Sequence, residues 1–443
     1  LYDFSKASAA GFKGGLAACE YQNEEDIVPS ITAWDFAAAQ KAAYLGLKSG
    51  NPNIKVLIGS FCSYPLPSYP AVALANGCAD YFDIFNFHIY NRLPEYPGVV
   101  SDIRSLLAKY GASEKPVWIT ENGSKYEGPG GISTHIPDKK EHTREQELLL
   151  AEFVQKSQIA LQHLGVQRDF HFLLLPYNES EKVWGLISWS YIAKPAYVAF
   201  ANMTAQLSNA KCLGTLKLQD GVKGFLYLQP DGSQTLVFWS ESDLETLKSS
   251  SIDMKNIFSK KFSLKAGKAH ANAAFRLCDS MGKEETVAPV AGMRKLEATR
   301  FPAFLSGLDG LKPSIPASSP GPFNAMPGKP SGKDISVVIR VKLLNGFSTG
   351  TSSYATLNNA SGEIAVEVFN LSEEAKDGRL ASCGSGAIDG LPSALQLKPW
   401  GKETFKARYS AKSFMSSLRL KGGFNGKDSS PCEIPVVSPA AID

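Results

Sequence analysis

The chain has no apolar run long enough to span a membrane. It also lacks a basic stripe or an Arg-rich arm. Its 46 Lys and Arg against 43 Asp and Glu leave a net charge of +3, spread along the sequence. That balance excludes the electrostatic footprint of a nucleic-acid binder. The seven cysteines never fall in a CxxC spacing, which argues against a zinc site. No internal repeat is present, and residues 436–443 carry no anchor or retention signal. The first residue is Leu1 and no signal peptide follows. The chain is therefore expected to be processed, or to begin partway through a longer product.

What is there fits a globular protein of 443 residues with two or three domains. Residues 1–207 alternate strand and helix. Apolar runs at 16–21, 54–60, 81–90, 116–120 and 170–175 predict strands. Between and after them, helices are predicted at 32–48, 99–110, from 143 to 164, and 195–207. Capping boxes Thr32-Ala-Trp-Asp35 and Thr143-Arg-Glu-Gln146 open two of these helices. Five βα units predict a parallel sheet with helices outside it.

After residue 207 the character changes. Runs at 222–227 and 235–239 flank Pro230-Asp231-Gly232, a hairpin signature. Short strands at 262–264 and 273–277 continue an all-β module expected over 208–311. Residues 312–333 are rich in Pro, Ser and Gly, the composition of a linker or a surface-hugging loop. Alternating runs at 335–341, 364–369 and 404–409 predict a second β-sandwich over 334–443.

Two carboxylates carry the chemical argument. Thr120-Glu121-Asn122-Gly123 ends the run Val117-Trp118-Ile119, and Asn23-Glu24 ends the run 15–19. The carboxyl ends of parallel barrel strands face an active site. Two glutamates at two such ends are what a retaining glycoside hydrolase needs, one as nucleophile and one as acid/base. Singly, each is also compatible with a solvated loop, or with a turn in which Gly123 supplies φ > 0. Cys62/Cys78, Cys383/Cys432 and Cys212/Cys278 are candidate disulfides. Cys19 is left over, either buried and free or paired outside this chain. Sequons at Asn178, Asn202, Asn359 and Asn370 join the cysteines in favouring a secreted or extracellular glycoprotein. Asn122-Gly-Ser is formally a sequon too, expected to be inaccessible beside Glu121. The Gly-rich stretch 384–390 has no following helix and is not a phosphate loop.

With these motifs the chain resembles the clan A retaining glycoside hydrolases, in particular the family 39-like β-xylosidases and their relatives. The likeness covers residues 10 to about 240. Val183-Trp-Gly-Leu186 and Lys194-Pro-Ala-Tyr197 resemble the family's return hairpin and last barrel helix. The resemblance implies that Glu24 is the acid/base ending strand four and Glu121 the nucleophile ending strand seven. It implies that Asn23 bonds the sugar 2-hydroxyl. His88 and Tyr90 match a His-x-Tyr region where the Tyr hydroxyl supports the nucleophile. Tyr177, Trp184 and Trp189 are candidate sugar platforms. His171 stands where relatives often carry Trp.

The implied fold is α/β plus all-β: the second half of a (β/α)8 TIM barrel, strands four to eight, followed by two β-sandwich-like modules. Only about fifteen residues precede strand four, and 4–14 resemble the tail of the third barrel helix. Five strands leave two open edges. A cleaved N-terminal fragment, a segment outside this chain or a partner chain is expected to complete the barrel. No metal or organic cofactor is expected, and the substrate is a carbohydrate. The competing expectation is a glycosidase-like structural or carbohydrate-binding component of an extracellular assembly, without turnover.

Overall fold

The computed structural model describes residues 1–27, 31–62, 69–124, 144–179, 182–241, 259–265, 273–321, 332–349 and 353–441. The chain divides into two compact units. The first takes Leu1–His88, Gly98–Trp118 and Gly321–Asp443. The second takes Ile89–Pro97 and Ile119–Pro320.

The first unit opens with α1 (Tyr2–Gly11), β1 (Ala18–Glu20), α2 (Ala33–Gly50), β2 (Lys55–Leu57), α3 (Tyr69–Ala75) and β3 (Phe85–Ile89). Thr32 caps α2 as its capping box predicts, accepting the Asp35 amide at 3.3 Å. β1 and β2 are parallel, with Cys19 opposite Val56. Bridges Leu57–Ile84 and Phe61–Phe87 carry the parallel pairing on to β3. Parallel neighbours need crossover connections, which α2 and α3 supply. The regular strands are shorter than the apolar runs that announce them. Tyr44 and Leu47 of α2 bury against Ile54, Val56 and Tyr81, joined by Ala9 of α1. A methyl group at Gly46 or Gly50 would overlap the carbonyl oxygens of Tyr2 and Lys6. These two glycines are what let α1 lie backbone-close on α2.

The C-terminal strands of this unit form two main sheets. Val337–Leu343, Ser361–Asn370 and Lys402–Ser410 pair antiparallel in one, and Met415–Phe424 pairs with Cys432–Val437 in the other. Ile364, Val366 and Val368 are fully buried, the alternation of a strand with one face on a core. This module is tied to the helices before it. Arg340 Nε meets Asp35 Oδ1 at 2.6 Å, and the Asn76 side chain bonds both backbone polar groups of Glu433. Lys41, buried on α2, donates to the Pro431 carbonyl at 3.1 Å.

α4 (Tyr96–Lys109) and β4 (Val117–Asn122) each run from one unit into the other. The second unit continues with α5 (Arg144–His163), β5 (Arg168–His171), a hairpin of β6 (Tyr177–Glu179) and β7 (Lys182–Trp184), and α6 (Pro195–Leu207). Within this unit the end of β4 and β5 are sheet neighbours. Leu150, Ala151 and Val154 of α5 pack on Ala196 and Ala199 of α6, with Leu186 between. Thr143 lies outside the described residues. The strand expected at 170–175 is corrected: β5 covers 168–171. The carbonyls of Leu173 and Leu174 accept amides of Leu186 and Ile187, which draws the chain out of the sheet and into the hairpin.

Beyond α6, a seven-stranded sheet is built on the Val222–Leu228/Gln234–Ser240 hairpin, with Thr235 opposite Tyr227. Ile315–Pro316, inside the Pro-rich stretch, pairs with Thr215 and Gly214 at its edge. The strands Lys260–Lys265 and Met293–Ala298 form a separate pair. Their Phe262, Leu264 and Leu296 bury against Leu236 and Phe238. α5 is locked to this module by a sealed ion group. Glu152 takes Lys156 on Oε1 and the Arg300 Nε on Oε2, each at 2.5 Å.

The disulfide expectation is corrected. Cys19, Cys78, Cys212, Cys278, Cys383 and Cys432 are thiols, so none of the three expected pairings forms. Cys78 points at the Ala37 carbonyl and Cys278 at Asn202, while Cys383 is exposed and Cys432 is buried. Burial pushes the Cys78 and Cys432 thiols up to about 12. The Asn370 sequon is also closed. Its side chain is buried and its nitrogen donates to the Glu374 and Lys398 carbonyls. No described helix is long and apolar enough to cross a membrane.

Candidate active site

The first unit holds Asn23, Glu24 and His88. Past β1 the chain stays beside β2: Asn23 bridges Ser60, and the Glu24 amide donates to the Ser60 carbonyl at 3.1 Å. The Ser60 hydroxyl donates to Asn23 Oδ1 at 3.1 Å, which leaves the exposed Asn23 amide nitrogen as its donor toward a ligand. Glu24 itself has φ of +54°, an uncommon conformation for a non-glycine residue. From β3, His88 sets Nδ1 2.6 Å from Glu24 Oε1. The imidazole is sealed from solvent, whereas the Glu24 side chain is 22% exposed. At this distance a proton lies between the two groups, carried by one or the other. Beneath them, Glu20 accepts from the Ser60 amide at 3.4 Å and from Asn86 Nδ2 at 2.5 Å. Glu25, next to Glu24, is buried, and burial raises its carboxyl above the ordinary range.

The second unit holds Tyr90, Glu121, Tyr177, Trp184 and Trp189. Glu121 is the penultimate residue of β4, and the Tyr90 hydroxyl donates to its Oε2 at 2.7 Å. Tyr90 meets Trp184 edge-on at 5.5 Å, and Trp184 meets Phe172 at 5.3 Å. Trp184 is fully buried and donates through Nε1 to Glu179 at 3.1 Å. It therefore fixes the Tyr90 ring, and shows no open face. Tyr177 and Trp189 are 44% and 46% exposed. Tyr177 stands edge-on to Phe172 at 6.4 Å. Behind Glu121, Asn122 is buried, bonded to Tyr96 and Asp169. Burial pushes the Asp169 carboxyl up to about 7. His171 lies by Phe200, and burial lowers its imidazole to about 4.

Sequence reasoning missed Ser60, Phe172, Tyr96 and Asp169. Only Asp169 left a signal, an acid inside the strand Arg168-Asp-Phe-His171. Chemically, a carboxyl hydrogen-bonded to an imidazole can exchange a proton with it, and a carboxylate held by a tyrosine hydroxyl is oriented.

A scan of protein families found none that matches this chain, and a search of curated proteins found none similar to it. Solved structures do resemble it, among them glycoside hydrolases of families 39, 51 and 44. A glucosidase from Croceicoccus marinus aligns with a TM-score of 0.51 at 14% identity, over 69% of this chain and 73% of that one. A family 39 glycoside hydrolase from the gut symbiont Bacteroides cellulosilyticus gives 0.46 at 16% identity, over 68% of this chain. The present chain spans 60% of that enzyme's length. A family 39 β-xylosidase from Caulobacter crescentus gives 0.47 at 13%, over 70% and 72%. At such identities the likeness is one of fold. What it defines is a mixed α/β, strand-rich, glycosidase-like fold.

Proposed function

We propose that this chain carries the catalytic pair of a retaining O-glycoside hydrolase acting on a β-linked glycan. Glu24 is the acid/base and Glu121 the nucleophile. The observation that carries the reading is the His88-Ile89-Tyr90 run, in which His88 engages Glu24 and Tyr90 engages Glu121. Each proposed catalytic carboxyl thus has its own dedicated polar partner, as a two-role mechanism needs. Glu121 would attack the anomeric carbon while Glu24 protonates the leaving oxygen. Glu24 would then take a proton from water as it releases the sugar. The reading requires the two carboxyl groups to stand about 5–5.5 Å apart. Asn23 would meet the 2-hydroxyl, and Tyr177 and Trp189 would offer faces to the sugar. No step calls for a cofactor.

The five βα strands are proposed to be strands four to eight of a (β/α)8 barrel. Among the described residues no strand pairs with the outer edge of β1 or of β5. Exposed apolar side chains occur in both units: Phe4, Phe12 and Leu16 in the first, Leu174, Leu175 and Ile192 in the second. Three further βα units, from a fragment or a partner chain, would cover the two edges. Those same edges favour the second reading, a glycan-binding component of an assembly.

Intact-mass analysis of natively purified material tests the completion: a co-purifying fragment of half-barrel size supports it, and a chain that travels alone opposes it. Hydrolysis of a panel of aryl β-glycosides tests the chemistry. Turnover abolished by Glu24→Gln or Glu121→Gln, with folding intact, supports the enzyme. Glycan binding without turnover on any glycoside supports the second reading.

A further inference from the structure

We propose that Asp169 and Tyr96, acting through the side chain of Asn122, are positioning residues for Glu121. The inference rests on Glu121 being the nucleophile.

Successive side chains of a strand point to opposite faces. Glu121 and Asn122 end β4 together, so what grips Asn122 from behind sets where Glu121 stands. Asn122 is gripped at three points. Its Oδ1 accepts the Tyr96 hydroxyl at 3.2 Å, its Nδ2 donates to Asp169 Oδ2 at 2.8 Å, and its carbonyl accepts the Phe172 amide at 2.8 Å. Tyr96 and Asn122 are both fully buried. The amide can sit only one way round, oxygen to the hydroxyl and nitrogen to the carboxyl. The clamp joins the nucleophile's strand end to the first residue of α4 on one side and to β5 on the other.

Asp169 is an unexpected choice for a purely structural acceptor. Its second oxygen, Oδ1, is shut off from solvent and meets no hydrogen-bond partner. The groups that face it are Asn122 from β4, Gln158 from α5, the Phe170 amide from β5 and Tyr96 from α4. Gln158 lies near enough to favour the ionised form, although its Nε2 is out of hydrogen-bond geometry. None of these groups is a cation, and burial raises the carboxyl to about 7. A neutral asparagine would accept the same bond from Asn122 without that electrostatic cost. The carboxylate adds a charge-assisted bond, which holds Asn122 more tightly than a neutral acceptor does. A costly buried charge beside a reacting residue is the pattern of a functional site.

The test uses the natively purified protein and a panel of β-configured cyclitol epoxides (gluco, galacto and xylo). A nucleophilic carboxylate opens the epoxide to an ester, and the ring oxygen takes the proton from the acid/base. Peptide mass mapping locates the ester, and its rate gives kinact and KI between pH 5 and 9. In Asp169→Asn, kinact is expected to fall at least tenfold with KI within twofold, while the variant melts higher than the parent at pH 8. The parent's kinact is expected to rise through about pH 7 as Asp169 ionises. The variant lacks that step. Tyr96→Phe, which keeps the ring, should also lower kinact alone, and it decides the matter should Asp169→Asn not fold. Parent-like kinact in both variants, or a change confined to KI, overturns the proposal. A parent that no epoxide esterifies at Glu121 overturns the glycosidase reading, and the positioning role with it. That failure is recognised in the parent before any variant is compared.

Discussion

His88 sets its Nδ1 2.6 Å from Oε1 of Glu24, with the imidazole closed to solvent and the carboxyl partly open to it. Of the two partners, the Glu24 carboxyl is the one that reaches solvent. His88→Gln keeps the bulk and removes the titrating ring. The expected result is a fall in kcat of about 10- to 100-fold on glycosides with poor leaving groups, and less on activated ones. Equal losses on both substrate types would remove His88 from the proton path.

Tyr90 holds Glu121 with one hydroxyl, and its ring rests edge-on against Trp184. Tyr90→Phe deletes only the hydroxyl. A hydrogen bond to a charged group is worth about 1.5–3 kcal/mol, which corresponds to roughly 10- to 100-fold in rate. The melting temperature should move little, since the packing stays. Steady-state kinetics beside thermal unfolding check both halves.

Gly123 follows the Glu121-Asn122 pair, and a β-carbon there would stand 2.6 Å from Trp184 and 2.7 Å from Tyr90. Both are rings, and Trp184 is fully buried, so neither yields easily. Gly123→Ala is expected to cost about 1–3 kcal/mol of stability, measured by denaturant unfolding. It should also displace the Tyr90 hydroxyl from Glu121.

Asp169 links stability to pH. Its folded carboxyl titrates at about 7, above the ordinary 3.8, so the folded state holds the proton more tightly. Its contribution is fully present below about pH 3.8, declines as pH rises, and is lost above about 7. The whole effect is bounded at about 4 kcal/mol. Asp169→Asn should therefore gain stability over the parent between pH 5 and 8, and the gain should level off above that. A parallel pair of melting curves against pH would refute this.

Glu152 is fully buried and pairs with both Lys156 and Arg300. Glu152→Gln leaves two buried cations facing a neutral amide. A loss of about 3–5 kcal/mol is expected, read from the shift in unfolding midpoint. Epoxide labelling below the melting point should be unaffected.

Much of the local structure is legible in the sequence, because its causes lie within a few residues. Thr32 and Asp35 announce the start of α2, Pro230-Asp231-Gly232 announces its hairpin, and period-two burial appears at Ile364, Val366 and Val368. Glu24 and Glu121 stand out because each follows an apolar run, and strand ends are where chemistry is placed. His-x-Tyr could be noticed, but not which glutamate each member would meet.

Only the tertiary structure decides relations between residues far apart in the chain. Sequence spacing suggested cysteine pairings, yet Cys78 turns to a carbonyl of α2 and Cys432 is buried by the C-terminal strands. Ile315–Pro316 falls in a stretch whose composition reads as a linker or a surface-hugging loop, and only the fold shows it pairing at a sheet edge, where no amide from the proline is needed. Asp169 looks like a polar interruption of β5 until Asn122 and Tyr96, 47 and 73 residues away, are brought against it. Periodicity and capping are set by backbone geometry over a single turn or strand. The clamp behind Glu121 is set by which side chains three separate elements bury together, and no local pattern encodes that.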